Sequence, residues 1–212
     1  MKSLKLLAAA LLLGASTLSA ADATPTAKAL ALPTGSYTLD PAHTKIGFEV
    51  VHMMVSTVSG QFDKATATLD LNADPAKCKV TAEIETASIN TGTQRRDDHL
   101  RSDAFFDAAK YPKITFVSKS FKLDGDKLTV GGDLTIHGTT HPVMLEGRFR
   151  GVVLDGYGNE KVGASLRTTI SRKAFNVLWN NLIEAGPVVS DEVDLILNIE
   201  AGRPVAKAKE KK

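Results

Sequence analysis

Short runs in which apolar and polar residues alternate dominate the chain from Ser36 onward. Eight such runs occur, rich in Val, Ile, Thr and Phe and separated by turn residues. They cover residues 46–52, 65–71, 80–84, 114–116, 128–136, 143–149, 162–170 and 193–199. Alternation with period two is typical of strands that bury one face, and an even number of antiparallel strands can close without leaving an exposed edge. The sequence therefore predicts an all-β protein, an eight-stranded antiparallel up-and-down barrel.

Two segments interrupt this alternation. Residues 93–109 are dense in charge, and Leu100, Ala104 and Phe105 recur near helical spacing, which predicts a short helix between the third and fourth strands. Residues 171–187 predict a loop or a helical turn that carries large apolar residues, among them Trp179 and Leu182. Because no internal repeat or domain boundary interrupts the runs, we expect residues 35–202 to form one domain.

The N-terminus has the features of a secretory signal peptide. Lys2 and Lys5 accompany an apolar stretch over residues 6–14, and small residues follow around Ala21. The stretch is about half of the roughly 20 residues that a membrane-spanning helix needs, so an uncleaved anchor is the weaker alternative. We expect residues 1–21 to be a signal peptide, residues 22–34 to be a spacer, and the protein to be exported without being integral to a membrane.

The charge balance argues against nucleic-acid binding. Removal of residues 1–21 would leave 24 basic against 24 acidic residues, and the body from Asp22 to Gly202 has 19 basic against 23 acidic ones. Neutralising phosphates requires a positive face, which such a body lacks. The remaining basic residues lie in residues 203–212, which we interpret as a basic disordered tail; weak attraction to anionic surfaces is its alternative function.

Cys78 is the only cysteine in the sequence. An intramolecular disulfide is therefore impossible, and the fold has to depend on its apolar core. We expect Cys78 to be a small residue at the start of a strand. A reactive thiol is the weaker alternative, because no histidine adjoins it in the sequence.

Motifs along the whole barrel segment resemble those of the YceI-like family. They are Tyr37-Thr38-Leu39-Asp40-Pro41-Ala42-His43-Thr44, Gly60-x-Phe62, Asp97-x-His99-Leu100-Arg101-Ser102-x-x-Phe105-Phe106-Asp107, Tyr111-Pro112-x-Ile114-x-Phe116, the run from Gly132 to Val143, Arg172-x-x-Phe175-Asn176 and Val189-Ser190-Asp191-x-Val193. The resemblance covers residues 36–201. It departs at Asn176, where a glycine is common, and this departure leaves the path of that loop open.

The resemblance implies an extended lipocalin-like barrel that holds a polyisoprenoid or another long-chain amphiphile along its axis. It also implies an exported protein, commonly of the bacterial periplasm, and the family as a whole has no attributed catalytic machinery. We therefore expect no enzymatic activity and no cofactor beyond a bound polyprenyl lipid or quinone. Binding of fatty acids or fatty amides is the alternative, and a homodimer is left open.

The predicted inward phase contains many small residues. The interior of an eight-stranded barrel is either filled by side chains or just wide enough for one slender ligand. Small residues leave room for such a chain, each buried CH₂ of which contributes about 0.8 kcal/mol; a packed core is the alternative. The small residues are Gly47 or its neighbours, Ala65, Ala67, Ala82, Gly132, Gly147 and Ala164. The candidate lining residues are Phe48, Val50, His52, Phe62, Ala82, Ile84, Phe116, Leu134, Ile136, Leu145, Phe149, Leu166 and Ile170.

Large apolar residues outside the strands indicate a cover for one mouth of the barrel. Loops that carry such residues commonly close a binding cavity, and we expect this cover to consist of Leu100, Phe105, Trp179 and Leu182. The candidates for holding the headgroup of a ligand are Asp97, His99 and Arg172. Hydrogen bonding within the protein is nevertheless the commoner fate of such residues.

A metal-dependent enzyme is the remaining alternative, and no motif favours it. His137 and His141 are four residues apart, but they flank a Gly-Thr-Thr turn instead of sharing a helix face. Asp97 and His99 have arginine neighbours that explain them as ion-pair partners. Neither a G-x-S-x-G motif nor a phosphate loop occurs. We predict no metal site and no catalytic residue.

Overall fold

The computed structural model describes residues 31–183 and 186–205, without the side chains of residues 182, 183 and 187. The predicted signal peptide, residues 22–30 of the predicted spacer and residues 206–212 of the predicted tail lie outside the described residues. The described strands are β1 (Gly35–Leu39), β2 (Lys45–His52), β3 (Ser56–Phe62), β4 (Ala65–Leu71), β5 (Lys79–Glu85), β6 (Ile89–Asn90), β7 (Lys113–Asp124), β8 (Lys127–Ile136), β9 (Thr139–Leu154), β10 (Asn159–Ser171), β11 (Leu182–Ile183), β12 (Gly186–Pro187) and β13 (Val189–Pro204). The helix α1 spans Gln94–Arg101.

Eight antiparallel strands close into a barrel, as the sequence predicts. Their order around the ring is β1-β4-β5-β7-β8-β9-β10-β13, and the pairing of β13 with β1 completes the ring. Consecutive strands from β7 to β10 are joined by hairpins, so each backbone finds its hydrogen-bonding partners in its neighbours. Closure removes the exposed edges that an open sheet would present. The predicted fold class is confirmed.

Strand β13 has two partners end to end on one of its edges. Its residues Ala201 and Gly202 pair with β1, whereas its earlier residues pair with β2. The hairpin β2–β3 therefore extends the wall beyond β1 and β4, and β6 pairs with β3 to continue it. We call this extended end of the barrel the upper end. The hairpin between β9 and β10 lies at the opposite, lower end, where Asn159 pairs with Pro204 of β13.

The strands of the ring differ from the eight predicted runs at one position. Seven runs correspond to ring strands, while the first run corresponds to β2, and β1 takes its place in the ring. Strand β7 is also longer than its predicted run. Lys119 forms a β-bulge opposite Gly131 and Gly132, and this bulge interrupts the alternation from which the run is predicted. A bulge shifts the alternation by one residue, so Phe121 faces the interior in spite of breaking the phase of Phe116.

The helix and the second interruption lie where the sequence places them. Helix α1 is shorter than the predicted segment, because the chain leaves the helix at Ser102, whose backbone N–H and hydroxyl both donate to the carbonyl of His99. Later, a 3₁₀ turn over Lys173–Phe175 ends at Asn176, which has a φ of 59°. After glycine, asparagine tolerates this left-handed region best, and its amide donates to the Thr139 hydroxyl at 2.7 Å. Asn176 is therefore compatible with this left-handed turn.

Residues next to both predicted boundaries of the barrel domain belong to the described barrel. Leu32, placed in the spacer by the sequence, is buried in the core. Its apolar side chain lies at the lower end of the barrel beside Leu71 and Phe149. At the other boundary, Arg203 and Pro204 belong to β13, so these two residues are not part of the predicted tail. Arg203 is retained there by ionic contacts with Glu160 of β10.

A buried tyrosine ties the three strands of the barrel seam together. Tyr37 of β1 is fully buried, and its hydroxyl donates to Glu160 of β10. Arg203 of β13 donates to the same carboxylate at 2.9 Å and lies over the Tyr37 ring. Burial and the neighbouring carboxylate raise the pKa of Tyr37 to about 12. The contact thus favours the neutral phenol.

We predict that Tyr37→Phe lowers the free energy of unfolding by about 1–2 kcal/mol near neutral pH, since it removes a buried hydrogen bond to a charged group. In the folded protein the pKa is raised above the ordinary value of 10.0. The contribution is therefore fully present below pH 10.0 and is lost as the pH rises to about 12. Urea unfolding of the two proteins across this range measures it. Tyr157→Phe, at a position 90% exposed, is the control, and an equal effect of both variants would contradict the assignment.

Candidate functional site

Three adjoining cavities occupy the interior of the barrel. The central lobe has a volume of about 170 Å³, and its wall is apolar apart from Thr66. The upper lobe has about 100 Å³ and the lower lobe about 30 Å³. The central and upper lobes share Phe62, Ile114, Ile136 and Leu195. The central and lower lobes share Leu69, Phe121, Leu128, Ala164 and Ile199. Together the lobes form one interrupted apolar channel from the upper to the lower end.

The structure places twelve of the thirteen candidate lining residues on the walls of these lobes. In the central lobe are Phe62, Ala82, Ile84, Phe116, Leu134, Ile136, Leu145 and Leu166. The upper lobe adds Phe48, Val50 and Ile170, and the lower lobe adds Phe149. Their role in binding stays a prediction. His52 is the exception: it follows the phase of Phe48 and Val50, but β2 ends there at a turn, so it lies outside the lobes.

Small side chains make part of this space, although not all of those predicted. Ala67 and Ala82 lie directly opposite one another on β4 and β5, and both line the central lobe, as do Ala164 and Gly47. Gly147 has a different reason to be small, since a Cβ there would lie 2.0 Å from the carbonyl oxygen of Ser165. Gly132, likewise, makes room for the ring of Phe116, and neither it nor Ala65 lines a lobe.

Sequence reasoning missed several lining residues. Val193, Leu195 and Leu197 share one phase of β13 and belong to the interior, and the alternation of the last run already contained that signal. Leu32, in contrast, lines the lower lobe from the segment that the sequence analysis interprets as a spacer.

Aromatic side chains cover the upper end. Phe105 and Leu100 line the upper lobe, and Trp179 packs on Phe105 with ring centroids 4.8 Å apart. His99 meets both rings edge-on, at 5.0 Å from Phe105 and 5.2 Å from Trp179. The structure thus brings together three of the four predicted cover residues, while the side chain of Leu182 lies outside the described residues. The cover joins α1 to the segment after β10.

Arg172 is the one charged residue among the described residues that line the three lobes. It is 6% exposed. Its guanidinium donates to the carbonyls of Val177 and Trp179 at 2.7 and 2.8 Å and to that of Ser190 at 2.8 Å. Burial lowers the pKa of Arg172. The guanidinium therefore fastens the segment that carries Trp179 to the start of β13, at the upper lobe.

The other two headgroup candidates do not reach the lobes. The buried carboxylate of Asp97 accepts hydrogen bonds from the backbone N–H and the hydroxyl of Thr91, at 2.9 and 2.5 Å, and so shapes the loop before α1. His99 is exposed on the outer side of the aromatic cover. Of the three candidates, Arg172 alone lines the interior.

The histidines considered as metal ligands are not brought together. The ring of His137 stacks on Tyr111, whereas that of His141 packs against Phe175 and hydrogen-bonds with the carbonyl of Ala174. Asp40, His43 and Glu200 do form a close group. Lys161 already supplies a cation there, at 2.6 Å from Asp40 and 3.3 Å from Glu200. Its ammonium, with the His43 hydrogen bond, holds the pKa of Asp40 well below its usual range, so the group is explained as an ionic link across the seam.

A larger groove, of about 630 Å³, lies outside the barrel. Its lining mixes charges of both signs, including Glu49, Arg148, Arg167 and Asp194. Such outward side chains alternate with the inward ones that line the lobes. We place the candidate site in the interior because, among the described residues, its walls are apolar apart from Thr66 and the buried Arg172. None of the helices in the described part of the chain has the length and apolarity to cross a membrane.

Known proteins resemble this chain over nearly the whole barrel. The model of the YceI-like domain matches residues 37–201. Protein YceI of Escherichia coli O157:H7 is 39% identical over 159 residues, which are 74% of this chain and 81% of that protein. The crystal structure of Burkholderia cenocepacia BcnA is similar with a TM-score of 0.64 at 28% identity, covering 76% of this chain and 98% of that one. A polyisoprenoid binding domain from Saccharophagus degradans has a TM-score of 0.60 over 79% of this chain and 98% of that one; at 17% identity, this likeness concerns the fold alone.

We predict that Arg172→Met destabilises the protein by at least about 2 kcal/mol, because it leaves two carbonyls of the cover segment and one at the start of β13 without their donor. Urea unfolding measures the loss, and acrylamide quenching of Trp179 fluorescence is expected to rise as the segment loosens. Lys173→Met removes a neighbouring exposed cation and is the control. Unchanged quenching in Arg172→Met would show that Arg172 does not hold the cover.

Proposed function

The chain belongs to the YceI-like family, and from that premise we propose that it is an exported lipid-binding protein that holds a polyisoprenoid or quinone-like amphiphile inside its barrel. The observation that carries this proposal is the stack of three apolar lobes, closed below by Leu32 and covered above by aromatic rings. The S. degradans domain supports it as a polyisoprenoid-binding protein of the same fold. Transport, storage or sequestration of the lipid all fit such a container.

The sizes of the lobes bear on how a long chain is accommodated. A dry apolar cavity of about 150 Å³ accepts one benzene molecule, so the central lobe of about 170 Å³ suits roughly one isoprene unit. A longer chain requires the lobes to merge. The residues shared between central and upper lobes are the points where this happens, and Phe62 is the largest of them. Its ring packs on Phe48 and Phe106 with ring centroids 5.9 and 6.1 Å apart, and we propose that a change of its rotamer opens the channel.

Apolar burial supplies the affinity in this account. Each CH₂ removed from water contributes about 0.8 kcal/mol, so an isoprene unit of five carbons contributes on the order of 3–4 kcal/mol before the cost of ordering the chain. A few units therefore suffice for tight binding with hardly any polar contact. This fits walls whose polar side chains are limited to Thr66 and Arg172 in the described part of the barrel.

Arg172 favours a second candidate ligand class, fatty acids or fatty amides. A guanidinium at the end of an apolar channel can bind a carboxylate or an amide oxygen, and unbranched chains need less width than isoprenoids. Both candidates use the same lobes and differ in the branching of the chain and in the headgroup. A headgroup at Arg172 would put the tail in the central and lower lobes.

We propose binding and not catalysis because of the side chains that line the three lobes. General acid–base catalysis needs a group that exchanges a proton near neutral pH, and the ionisable group that faces these lobes is a guanidinium, which stays charged.

Delivery to the periplasm is part of the proposal as well. It is supported by the charged and apolar pattern of residues 1–21.

The central lobe gives a direct test of the proposal. We expect Ala82→Phe to place its ring in that lobe and to weaken binding at least about tenfold, since the displaced isoprene unit contributes more than 1.4 kcal/mol. Titration with geranylgeraniol or palmitate, followed by the fluorescence of the single tryptophan, Trp179, measures binding of each ligand class.

The matched control is Thr81→Phe, one residue earlier in β5 on the exposed face. Thermal unfolding establishes that both variants fold. Normal binding by folded Ala82→Phe, or equal loss in both variants, would contradict a ligand in the central lobe.

A further inference from the structure

The turn between β2 and β3 contains side chains that its backbone disfavours. Met53 and Met54 have φ values of 52° and 63°, and the N–H of Val55 donates to the carbonyl of His52 at 3.2 Å. Positive φ at both central residues defines a type I′ turn. Such turns strongly prefer Asn-Gly, because residues with longer side chains are strained in the left-handed region. Two consecutive methionines here run against the local preference.

Burial in the protein does not explain these residues. Met53 is 39% exposed, Met54 64% and Val55 85%. The tip of the hairpin thus presents three apolar side chains to solvent at the cost of backbone strain. Methionine is flexible and adapts to irregular apolar surroundings, which suits contact with a partner that has no fixed shape.

The turn lies beside the covered end of the channel. The N–H of Met53 donates to the carbonyl of Val188, and His52 pairs with Val189 at the start of β13. Arg172 binds the carbonyls of Val177 and Trp179. Leu178, between those two residues, is 62% exposed. The hairpin tip and Leu178 therefore flank the aromatic cover, and Arg172 links the two through the start of β13.

The tip is also free of full charges. Residues 50–58 contain no Lys, Arg, Asp or Glu, and His52 is the single titratable side chain among them. Transfer of this tip into an apolar medium would therefore not strip water from a fixed charge, which is the main cost of such a transfer.

We propose that the upper end of the barrel docks on a lipid membrane surface, with Met53, Met54, Val55 and Leu178 inserted among the lipids. The inference rests on the proposed function, since a container for a membrane lipid has to exchange it with a membrane. A bilayer fits better than a protein partner because the apolar side chains stand on two separate projections. A stable protein interface needs about 800 Å² from each partner, which four side chains do not provide.

The lower end offers an internal control. Val153, Leu154 and Tyr157 of the β9–β10 hairpin are also exposed, at 61%, 64% and 90%. Their turn, however, has ordinary turn chemistry: Asp155 accepts from the N–H groups of Tyr157 and Asn159, and Gly158 takes the positive φ. This hairpin therefore matches the upper tip in apolar exposure without its strain or its position at the cover.

The test is flotation of the exported protein with vesicles of pure phosphatidylcholine. We expect the double variant Met53→Asn with Met54→Gly to partition at least about tenfold more weakly, because one buried methionine alone contributes that much. The new residues are those that the turn prefers, so thermal stability is expected to be equal or higher. Lost partition is then not a result of misfolding. The control, Val153→Thr with Leu154→Thr, is expected to partition like the wild type.

Four outcomes would overturn the proposal. Wild-type partition in the upper-tip variant, or equal loss in both variants, would remove the role of this tip. Partition that appears only with phosphatidylglycerol and disappears in salt would assign binding to basic residues. Self-association without vesicles, abolished in the upper-tip variant, would identify a second copy of the chain as the partner. Titration of the same variants with geranylgeraniol in solution separates the docking proposal from the proposed lipid-binding function. The upper-tip variant should bind geranylgeraniol like the wild type. If the wild type fails to bind it, that result refutes the proposed lipid-binding function and leaves the docking proposal standing.

Discussion

The structure depends on the closure of the barrel along β13. This strand is paired on one edge with β10 and on the other with both β1 and β2, so its backbone groups are satisfied over nearly its whole length. In a closed ring every strand has a hydrogen-bonding neighbour on both edges, so its backbone N–H and C=O groups need no polar partner from the interior of the barrel. The interior is consequently left to apolar side chains, and the channel is a result of that closure. Ionic and hydrogen-bonding contacts of Tyr37 and Lys161 hold the same seam.

The two ends of the channel are closed in different ways, and this asymmetry gives the barrel a direction. Below, Leu32 packs deep among core residues. Above, the closure is a layer of rings from α1 and the segment after β10, and that segment is attached to the start of β13 by hydrogen bonds of Arg172 and Asn180. A segment attached by a few hydrogen bonds is easier to open than a packed core. We therefore propose that a ligand exchanges at the upper end, beside the exposed methionine turn.

Period-two alternation predicted the barrel and most of the residues on its inner wall, because strands with one face buried leave that signal in the residues themselves. The helix was predicted from a break in that alternation, where apolar residues recur near helical spacing. Alternation failed where local geometry interrupts the period. Strand β1, in which buried Tyr37 and Leu39 alternate with exposed residues, is absent from the eight predicted runs, and the bulge at Lys119 reverses the phase of β7. Alternation also predicts His52 as a lining residue, but β2 ends at His52 and its side chain lies outside the lobes. The partners of Arg172 are backbone carbonyls, which no sequence motif displays, so the sequence suggested a headgroup contact but not the anchoring of the cover.

The central claim is that the barrel is a container for one long-chain amphiphile. Organic extraction of the purified protein, followed by mass spectrometry with quantitation against protein, tests it most directly. The account predicts a methyl-branched polyprenyl or quinone-like molecule in near-stoichiometric amount, and an unbranched acid or amide would select the second candidate class. Protein that carries no lipid, and that also fails to take up added polyprenyl or fatty ligands, would contradict the account.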